Sequence, residues 1–296
     1  MKCLILGAGG YLGRHLAATL RANGHDVVAY GSLRSSLENR LDVSDFESLS
    51  QLDWNVDAVF LLAGVTGTSA SFANFATFIN VNDMGVLNVL ESLRQSEWRP
   101  RVVFPSTRLV YAGSDRPIAE TSALEAKTIY AASKMSCETY LKAYANAFQI
   151  PFTILRIGVP YGNTHGEQYS FGTVGAFIKQ AVDAGGIRLY GDGHLRRTFT
   201  HIDDVCRAIV MSSTHAEFEN EVVNVPGEDL SLLEAAELIA AQLNATITFT
   251  PWPTFDHSVE SGSTVFDGRK FLQRIPNVIT RRMDEWATSL RLPNAT

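Results

Sequence analysis

The chain has 296 residues, 46% of them hydrophobic, and a formal net charge of −6. That is enough apolar material for a large core in one or two domains, and an acidic balance without a basic cluster argues against nucleic acid as a partner. No apolar run approaches the roughly 18–20 residues of a membrane span, no signal peptide is visible, and Cys3, Cys137 and Cys206 form no Cys-x-x-Cys pair, so a cytoplasmic protein with no membrane partner, metal site or disulfide framework is expected.

In chain order, apolar strand candidates fall at residues 2–6, 26–30, 57–63, 101–106 and 152–157. Helix candidates lie between them near 12–22, 44–51, 76–96 and 129–148. This alternation predicts an α/β fold, a doubly wound parallel sheet with helices on both faces. From Gly158 to Gly193 glycines, aromatics and short apolar pieces dominate, which predicts a smaller, irregular part built around a cleft. A helix at 203–213 and a strand at 221–225 resume the regular pattern, and Ser231 followed by Glu234 predicts a capping box for a helix running to Leu243.

The first predicted strand runs straight into Gly7-Ala8-Gly9-Gly10-Tyr11-Leu12-Gly13. Leu12, Leu16 and Leu20 then mark one face of a helix that stops at Asn23-Gly24. A glycine-rich loop between a strand and a helix lets backbone N–H groups approach a pyrophosphate at the positive end of the helix. The spacing is Gly-x-x-Gly-x-x-Gly rather than Gly-x-Gly-x-x-Gly, with Leu12 in the place of the latter's third glycine. Gly7, Gly10, Tyr11, Leu12 and Gly13 are therefore candidate cofactor contacts in a Rossmann-type domain. The second strand ends in Gly31-Ser32-Leu33-Arg34, with no carboxylate to accept hydrogen bonds from a ribose 2′-hydroxyl. Ser32 can hydrogen-bond a 2′-phosphate and Arg34 can pair with it, with Arg14 as a further positive charge, so NADP(H) is favoured over NAD(H).

Tyr130 and Lys134 stand one turn apart on the predicted helix 129–148 and share a face. A fixed ammonium near a phenol lowers the phenol's pKa, which suits the pair to giving or taking a proton at a hydroxyl or ketone carbon.

With these motifs assembled, the chain resembles the extended short-chain dehydrogenase/reductase family, in its nucleotide-sugar epimerase, dehydratase and reductase branch. Further stretches carry the likeness: Phe104-Pro105-Ser106-Thr107-Arg108-Leu109-Val110-Tyr111, Asn82-Asp83-Met84-Gly85, Val59 to Gly64, Leu189-Tyr190-Gly191-Asp192-Gly193, and Arg197 to Val205. The resemblance implies that Thr107, four residues before Tyr111, is the catalytic hydroxyl and that Ser106 is not. It implies that Tyr130 exchanges a proton with the sugar oxygen, and that Lys134 holds the nicotinamide ribose while depressing the pKa of Tyr130. Leu62 and Ala63 would end the strand beside that ribose, and Asn82 would open the helix packed behind it. Asp42 and Val43 would contact adenine, and Arg197 would pair with the substrate's diphosphate. His165 and His201 are expected to be structural.

Departures from the family pattern narrow the chemistry. Arg108 and Leu109 stand where sugar-nucleotide 4,6-dehydratases carry an acidic pair, which counts against dehydration. Val159-Pro160 replace the usual substrate-contacting Asn, and Thr198 replaces an Asp. Three functions remain: a 4-keto nucleotide-sugar reductase with dissociable cofactor, a nucleotide-sugar 4-epimerase with tightly bound NAD, and a non-catalytic NADP-binding sensor. The reductase is the first choice, acting on a nucleotide-diphosphate sugar. Residues 1–158 plus 198–226 are expected to form the dinucleotide-binding domain and 159–197 plus 227–296 the substrate lobe, with the active site between them. The helices at 76–96 and 129–148 carry enough apolar surface for a homodimer interface.

Overall fold

A computed structural model describes residues 1–162 and 172–291. His165 therefore lies outside the described residues. The chain divides into two compact units, the first comprising Met1–Val110, Leu124–Arg156 and Cys206–Val223, the second Tyr111–Ala123, Ile157–Val205 and Asn224–Thr296. This division assigns Tyr111–Ala123 and the stretch from 198 to 205 to the second unit, in contrast to the boundaries expected from sequence.

The first unit opens with strand β1 (Lys2–Leu6), helix α1 (Tyr11–Ala22) and strand β2 (Asp26–Tyr30), close to the expected bounds. Helix α1 ends where Gly24 takes the left-handed conformation at φ +75°, a turn that glycine makes without steric cost. There follow α2 (Phe46–Ser50), β3 (Ala58–Leu61), α3 (Thr68–Ala73), α4 (Phe75–Phe78), a π-turn (Ile79–Met84), α5 (Gly85–Gln95), β4 (Arg101–Thr107), α6 (Ile129–Phe148) and β5 (Phe152–Ile157). The helix expected at 76–96 is thus present from Phe75 to Gln95, its dihedrals staying helical through Phe78, Met84 and Gly85. Its middle winds as a π-turn, the insertion of an extra residue that turns both Asn82 and Asp83 inward, and such turns gather at functional sites.

With strand β9 (Glu221–Asn224), these strands form a six-stranded sheet in the order β2-β1-β3-β4-β5-β9. The β1–β2, β1–β3 and β3–β4 pairs are parallel. The strand order reverses at β1, so the crevice beyond the carboxyl ends of β1 and β3 is the switch point at which doubly wound sheets bind dinucleotides. One core layer joins Leu4, Leu6, Val59, Leu61, Val102 and Phe104 of the sheet to Val86, Val89, Leu90, Leu93, Cys137 and Leu141 of α5 and α6.

The second unit contains the short strand β6 (Val159–Tyr161), helix α7 (Gly172–Ala184), β7 (Gly186–Tyr190), β8 (Arg196–His201), β10 (Glu228–Ser231), α9 (Leu232–Leu243) and β11 (Thr246–Thr250), while α8 (Ile202–Thr214) begins in it. Strands β10, β8 and β6 make one small sheet and β11 with β7 another. The expectation of an irregular stretch up to Gly193 is corrected by α7. Val174, Phe177, Ile178 and Ala181 recur at helical spacing and are buried, a pattern that the surrounding glycines obscured. The capping box at Ser231 is present, with Glu234 N–H donating to the Ser231 hydroxyl at 3.0 Å and Ser231 N–H donating to the Glu234 carboxylate at 2.6 Å.

Candidate active site

The glycine loop forms where β1 meets the end of β3. Gly7 has φ +98°, and a Cβ there would stand 2.6 Å from the carbonyl carbon of Leu62. A Cβ on Gly13 would lie 2.7 Å from Cα of Ala8, so α1 lies closer to the loop than any side chain allows. Gly10, by contrast, is exposed and is the first-turn cap of α1, where no side chain hydrogen-bonds the free amides and no acidic residue stands in the first turn. The N–H groups around Tyr11, Leu12 and Gly13 thus face an open helix N-terminus, which fits a pyrophosphate.

The loop after β2 brings further groups to this crevice. Ser32 and Arg34 are exposed at its start, as are Glu38 and Arg40 beyond. Ser35 is the member that sequence reasoning missed: its Oγ lies 2.7 Å from the position of a Cβ on Gly9, and it also fills the space beside Gly31. Arg14 is held at the loop by donating to Gly9 O at 3.0 Å. Asp42 accepts from the Ser44 N–H at 2.9 Å and the Ser44 hydroxyl at 2.6 Å, which folds its turn. Val43 is buried against Gly85, and Asn88 donates to the carbonyls of Val43 and Ser44, both at 3.1 Å. On the other side, Leu62 N–H donates to Leu6 O at 2.8 Å, continuing the sheet past β3. Asn82, 2% exposed, accepts from Val65 N–H at 2.8 Å and donates to Val65 O at 3.1 Å. Asn82 therefore pins the chain that follows Leu62 and Ala63.

The proton-transfer candidates collect at the end of β4. Thr128 caps α6, its hydroxyl accepting from Ala131 N–H at 3.1 Å. Tyr130 enters in the first turn with its ring edge-on to Phe78, centroids 6.3 Å apart, and keeps part of its surface exposed. The Thr107 side chain acts on the Tyr130 phenol and favours its ionised form. Neighbouring Ser106 is otherwise engaged, donating to Glu138 Oε1 at 2.5 Å. Lys134, buried, donates to Pro105 O at 2.9 Å and stands 4.2 Å from the centre of the Phe104 ring.

One electrostatic expectation is corrected. Crowding out of water pushes the Tyr130 phenol up to about 12, opposed by the Thr107 side chain and by the nearby Arg108 charge. Burial thus outweighs the lowering expected from Lys134, whose ammonium is directed to Pro105 and Phe104. Its own pKa is lowered by burial, against the upward pull of Glu138 and Asp83.

Behind these side chains lies a buried ionic layer that sequence reasoning did not find. Glu138 accepts from Arg156 Nε at 3.0 Å and Arg156 Nη2 at 2.6 Å, and both residues are 2% exposed. The available signal was an arginine in the apolar strand Phe152–Ile157 and a glutamate one turn after Lys134.

In the second unit, Arg197 is 2% exposed and donates to Glu260 Oε1 at 2.7 Å, to Arg196 O at 3.0 Å and to Gly262 O. To pair with a diphosphate it must exchange Glu260 for phosphate. His201 is buried, edge-on to Tyr161 with centroids 5.3 Å apart and near Trp286 at 6.5 Å. Among the described residues no group of three or more His, Cys, Asp or Glu side chains could hold a metal ion, and no helix is long and apolar enough to cross a membrane.

A doubly wound sheet with a glycine loop at its switch point, and a Thr-Tyr pair with a lysine one turn on, defines a nicotinamide-dependent enzyme of the short-chain dehydrogenase/reductase type. Residues 3–226 match the NAD dependent epimerase/dehydratase family, and the chain belongs to it. It is 29% identical over 260 residues to a Bacillus subtilis protein described as an uncharacterized UDP-glucose epimerase, covering 81% of each chain. The dTDP-glucose 4,6-dehydratase DesIV of Streptomyces venezuelae, solved with NAD, has the same fold, with TM-score 0.87 at 23% identity over 98% of this chain and 95% of that one. So does the UDP-glucuronic acid 4-epimerase of Bacillus cereus, solved with UDP-glucuronic acid and NAD, with TM-score 0.83 at 24% identity and 98% of both chains covered.

Proposed function

We propose that the protein reduces the 4-keto group of a nucleotide-diphosphate sugar with NADPH. The observation that carries this reading is that Thr107, at the end of β4, acts on the Tyr130 phenol, with Lys134 one turn along the same helix face. Two hydroxyls converging on one point suit a carbonyl oxygen that becomes an alkoxide. Tyr130 donates the proton, and a phenol pushed up to about 12 is fully protonated at neutral pH, ready to give it. Thr107 donates to the same oxygen and fixes its position. The nicotinamide supplies hydride when bound. Lys134 holds its ribose hydroxyls, Gly7, Gly10, Tyr11, Leu12 and Gly13 receive the pyrophosphate, and Leu62, Ala63 and Asn82 flank the nicotinamide half. Asp42 and Val43 border the adenine, while Ser32 and Arg34 meet a 2′-phosphate. Arg197 pairs with the sugar's diphosphate.

A second reading is a 4-epimerase with tightly held NAD, which removes and returns hydride through the same residues. The epimerase descriptions of the Bacillus relatives favour it. The acid and base that dehydration needs have no counterpart in Arg108 and Leu109, which counts against the dehydratase activity of the Streptomyces enzyme here. A cofactor sensor has no need of a complete Thr107, Tyr130 and Lys134 set.

Denaturing the purified protein and weighing the released nucleotides separates the two enzymatic readings. Little bound nucleotide, with stoichiometric NADPH consumption on a 4-keto nucleotide sugar, supports the reductase. Stoichiometric bound NAD, with no net NADPH consumption during sugar interconversion, makes it an epimerase.

A homodimer accompanies this reading. Phe72, Phe75 and Ile79 repeat at helical spacing and are 42%, 58% and 44% exposed, with Met84 following at 44%. They extend the apolar surface of α5 and α6 that would meet a second copy. Free, buried Cys3, Cys137 and Cys206 fit the reducing cytoplasm.

A further inference from the structure

Lys134 sits in a buried cluster of four ionisable groups whose charges balance only as a set. Asp83 is 6% exposed, Lys134 8%, Glu138 2% and Arg156 2%. A buried ammonium is strongly disfavoured unless an opposite charge accompanies it. Three groups compete for that part. The Cys137 thiol is pushed up to about 12 by burial and is neutral, so it brings no charge. Glu138 is committed to Arg156 through two hydrogen bonds, at 3.0 and 2.6 Å, and takes the Ser106 hydroxyl as well. Asp83 remains. Its two oxygens accept from the Ser133 hydroxyl and, at 3.4 Å, from the Tyr140 hydroxyl, the accept-only pattern of a carboxylate. Burial is the largest effect on this carboxyl and raises its pKa, the hydrogen bonds oppose that, and the one charge that joins them is the ammonium of Lys134.

We propose that Asp83 is the counter-charge of Lys134 and so a positioning residue of the active site, set there by the π-turn that points it into the face of α6. The turn packs on α6, and Ser133, the residue immediately before Lys134, gives its hydroxyl to Asp83. The remaining groups facing Lys134 are the Pro105 carbonyl and Phe104 ring of β4 and, on its own helix, Cys137 and Glu138. Of these only Glu138 is charged, and Arg156 neutralises it. Asp83 thereby does two jobs with one carboxylate: it fixes the register of α6 through Ser133 and favours the charged form of Lys134. That the charge serves catalysis rests on the function proposed above; the pairing itself does not.

The test is a 13Cε-lysine NMR titration of the full-length protein, with the Lys134 signal assigned by its absence in Lys134→Met. In the wild type Lys134 is expected to be an ammonium at pH 7; a neutral amine there overturns the proposal without any further variant. In Asp83→Asn, and equally in Asp83→Ser, the midpoint should fall by about one to two pH units, the usual effect of removing a close opposite charge. Ser133→Ala removes the hydrogen bond but keeps the charge, so its midpoint should stay near the wild-type value. An unchanged midpoint in a folded Asp83→Asn or Asp83→Ser protein overturns the pairing. NADPH and NADH affinity, measured by calorimetry across the same pH range, reports separately on function. If the Lys134 midpoint drops in Asp83→Asn while the alkaline limit of cofactor binding does not follow it, the pairing stands and the assignment of Lys134 to the cofactor ribose fails.

Discussion

Ser106 gives its hydroxyl to Glu138 at 2.5 Å, and this contact decides which of two adjacent hydroxyls on β4 is free for chemistry. Consecutive residues on a strand point to opposite faces. Ser106 therefore turns to the ionic layer behind the strand, while Thr107 turns to Tyr130. Thr107→Val, which keeps the shape and deletes the hydroxyl, should lower turnover with little change in cofactor affinity. Ser106→Ala should leave the pH profile of turnover in place and act through stability. Steady-state kinetics with thermal melts on both variants checks this, and a larger turnover loss in Ser106→Ala would reverse the assignment.

Tyr130→Phe removes the proposed proton donor while the ring still packs on Phe78. General acid–base catalysis supplies typically ~10²–10⁴-fold, so turnover should fall by about that factor. Cofactor affinity should persist, because the proposed seat of the phosphates is the glycine loop rather than α6. Near-normal turnover would remove Tyr130 from the mechanism.

The parts of this fold that were legible in sequence are those specified by neighbours a few residues apart. The β1–α1–β2 order, the end of α1 at Gly24, the Ser231–Glu234 capping box and the span of α6 all rest on spacing of four residues or fewer. The π-turn was illegible because residues 79–84 keep a helical apolar pattern and only the backbone reveals the extra residue. Helix α7 was hidden by glycines at its start and end. The Ser106–Glu138–Arg156 layer joins residues 32 and 18 positions apart, and no local rule relates them. The same holds for Asp83 and Ser133, 50 positions apart.

Breaking the buried pair exposes how much the site depends on that layer. Glu138→Gln leaves the Arg156 guanidinium buried without its anion, and removal of one partner from such a pair costs about 3–5 kcal/mol. Chemical denaturation should register that loss. Glu138→Leu combined with Arg156→Met removes both charges and should recover part of it, as apolar replacements of buried pairs commonly do. A double variant no more stable than Glu138→Gln would mean that Ser106 and the strand end need the carboxylate for themselves.

Gly7 and Gly10 separate folding from cofactor binding. Alanine at Gly7 meets the backbone of Leu62 and Ala63 and must hold φ near +98°, so strain of about 1–3 kcal/mol adds to a comparable packing penalty. Gly7→Ala should melt at a lower temperature and lose cofactor together. Alanine at Gly10 meets only Gly7 O, at 3.6 Å, and its φ of −77° suits any residue, so Gly10→Ala should fold normally. Its methyl group would nonetheless stand at the open end of α1, where the proposed pyrophosphate would meet the amides. Weaker cofactor binding with an unchanged melting temperature is the expected result; unchanged affinity would move the pyrophosphate away from Gly10.

On the proposed reading, Arg34 sets the cofactor preference. No carboxylate follows β2 directly, where an NAD-binding fold places one for the ribose 2′-hydroxyl, and Asp26 precedes the strand's carboxyl end by its full length. Ser32 and Arg34 stand exposed at that end, Arg14 is tethered to Gly9, and Arg40 lies across from Gly31, whereas Glu38 is the sole acid of the loop 31–40. The local balance is positive and suits a 2′-phosphate. Arg34→Ala should therefore weaken NADPH binding and leave NADH nearly unchanged, and Ser32→Asp should reverse the preference by repelling the phosphate and accepting from the hydroxyl. Screening supplies an independent check, because an exposed pair of charges weakens with salt. The NADPH advantage should shrink between low and high ionic strength in the wild type and be absent from Arg34→Ala. Tighter NADH binding by the wild type, or an NADPH advantage that survives Arg34→Ala, would defeat the assignment and return the weight to an epimerase with bound NAD.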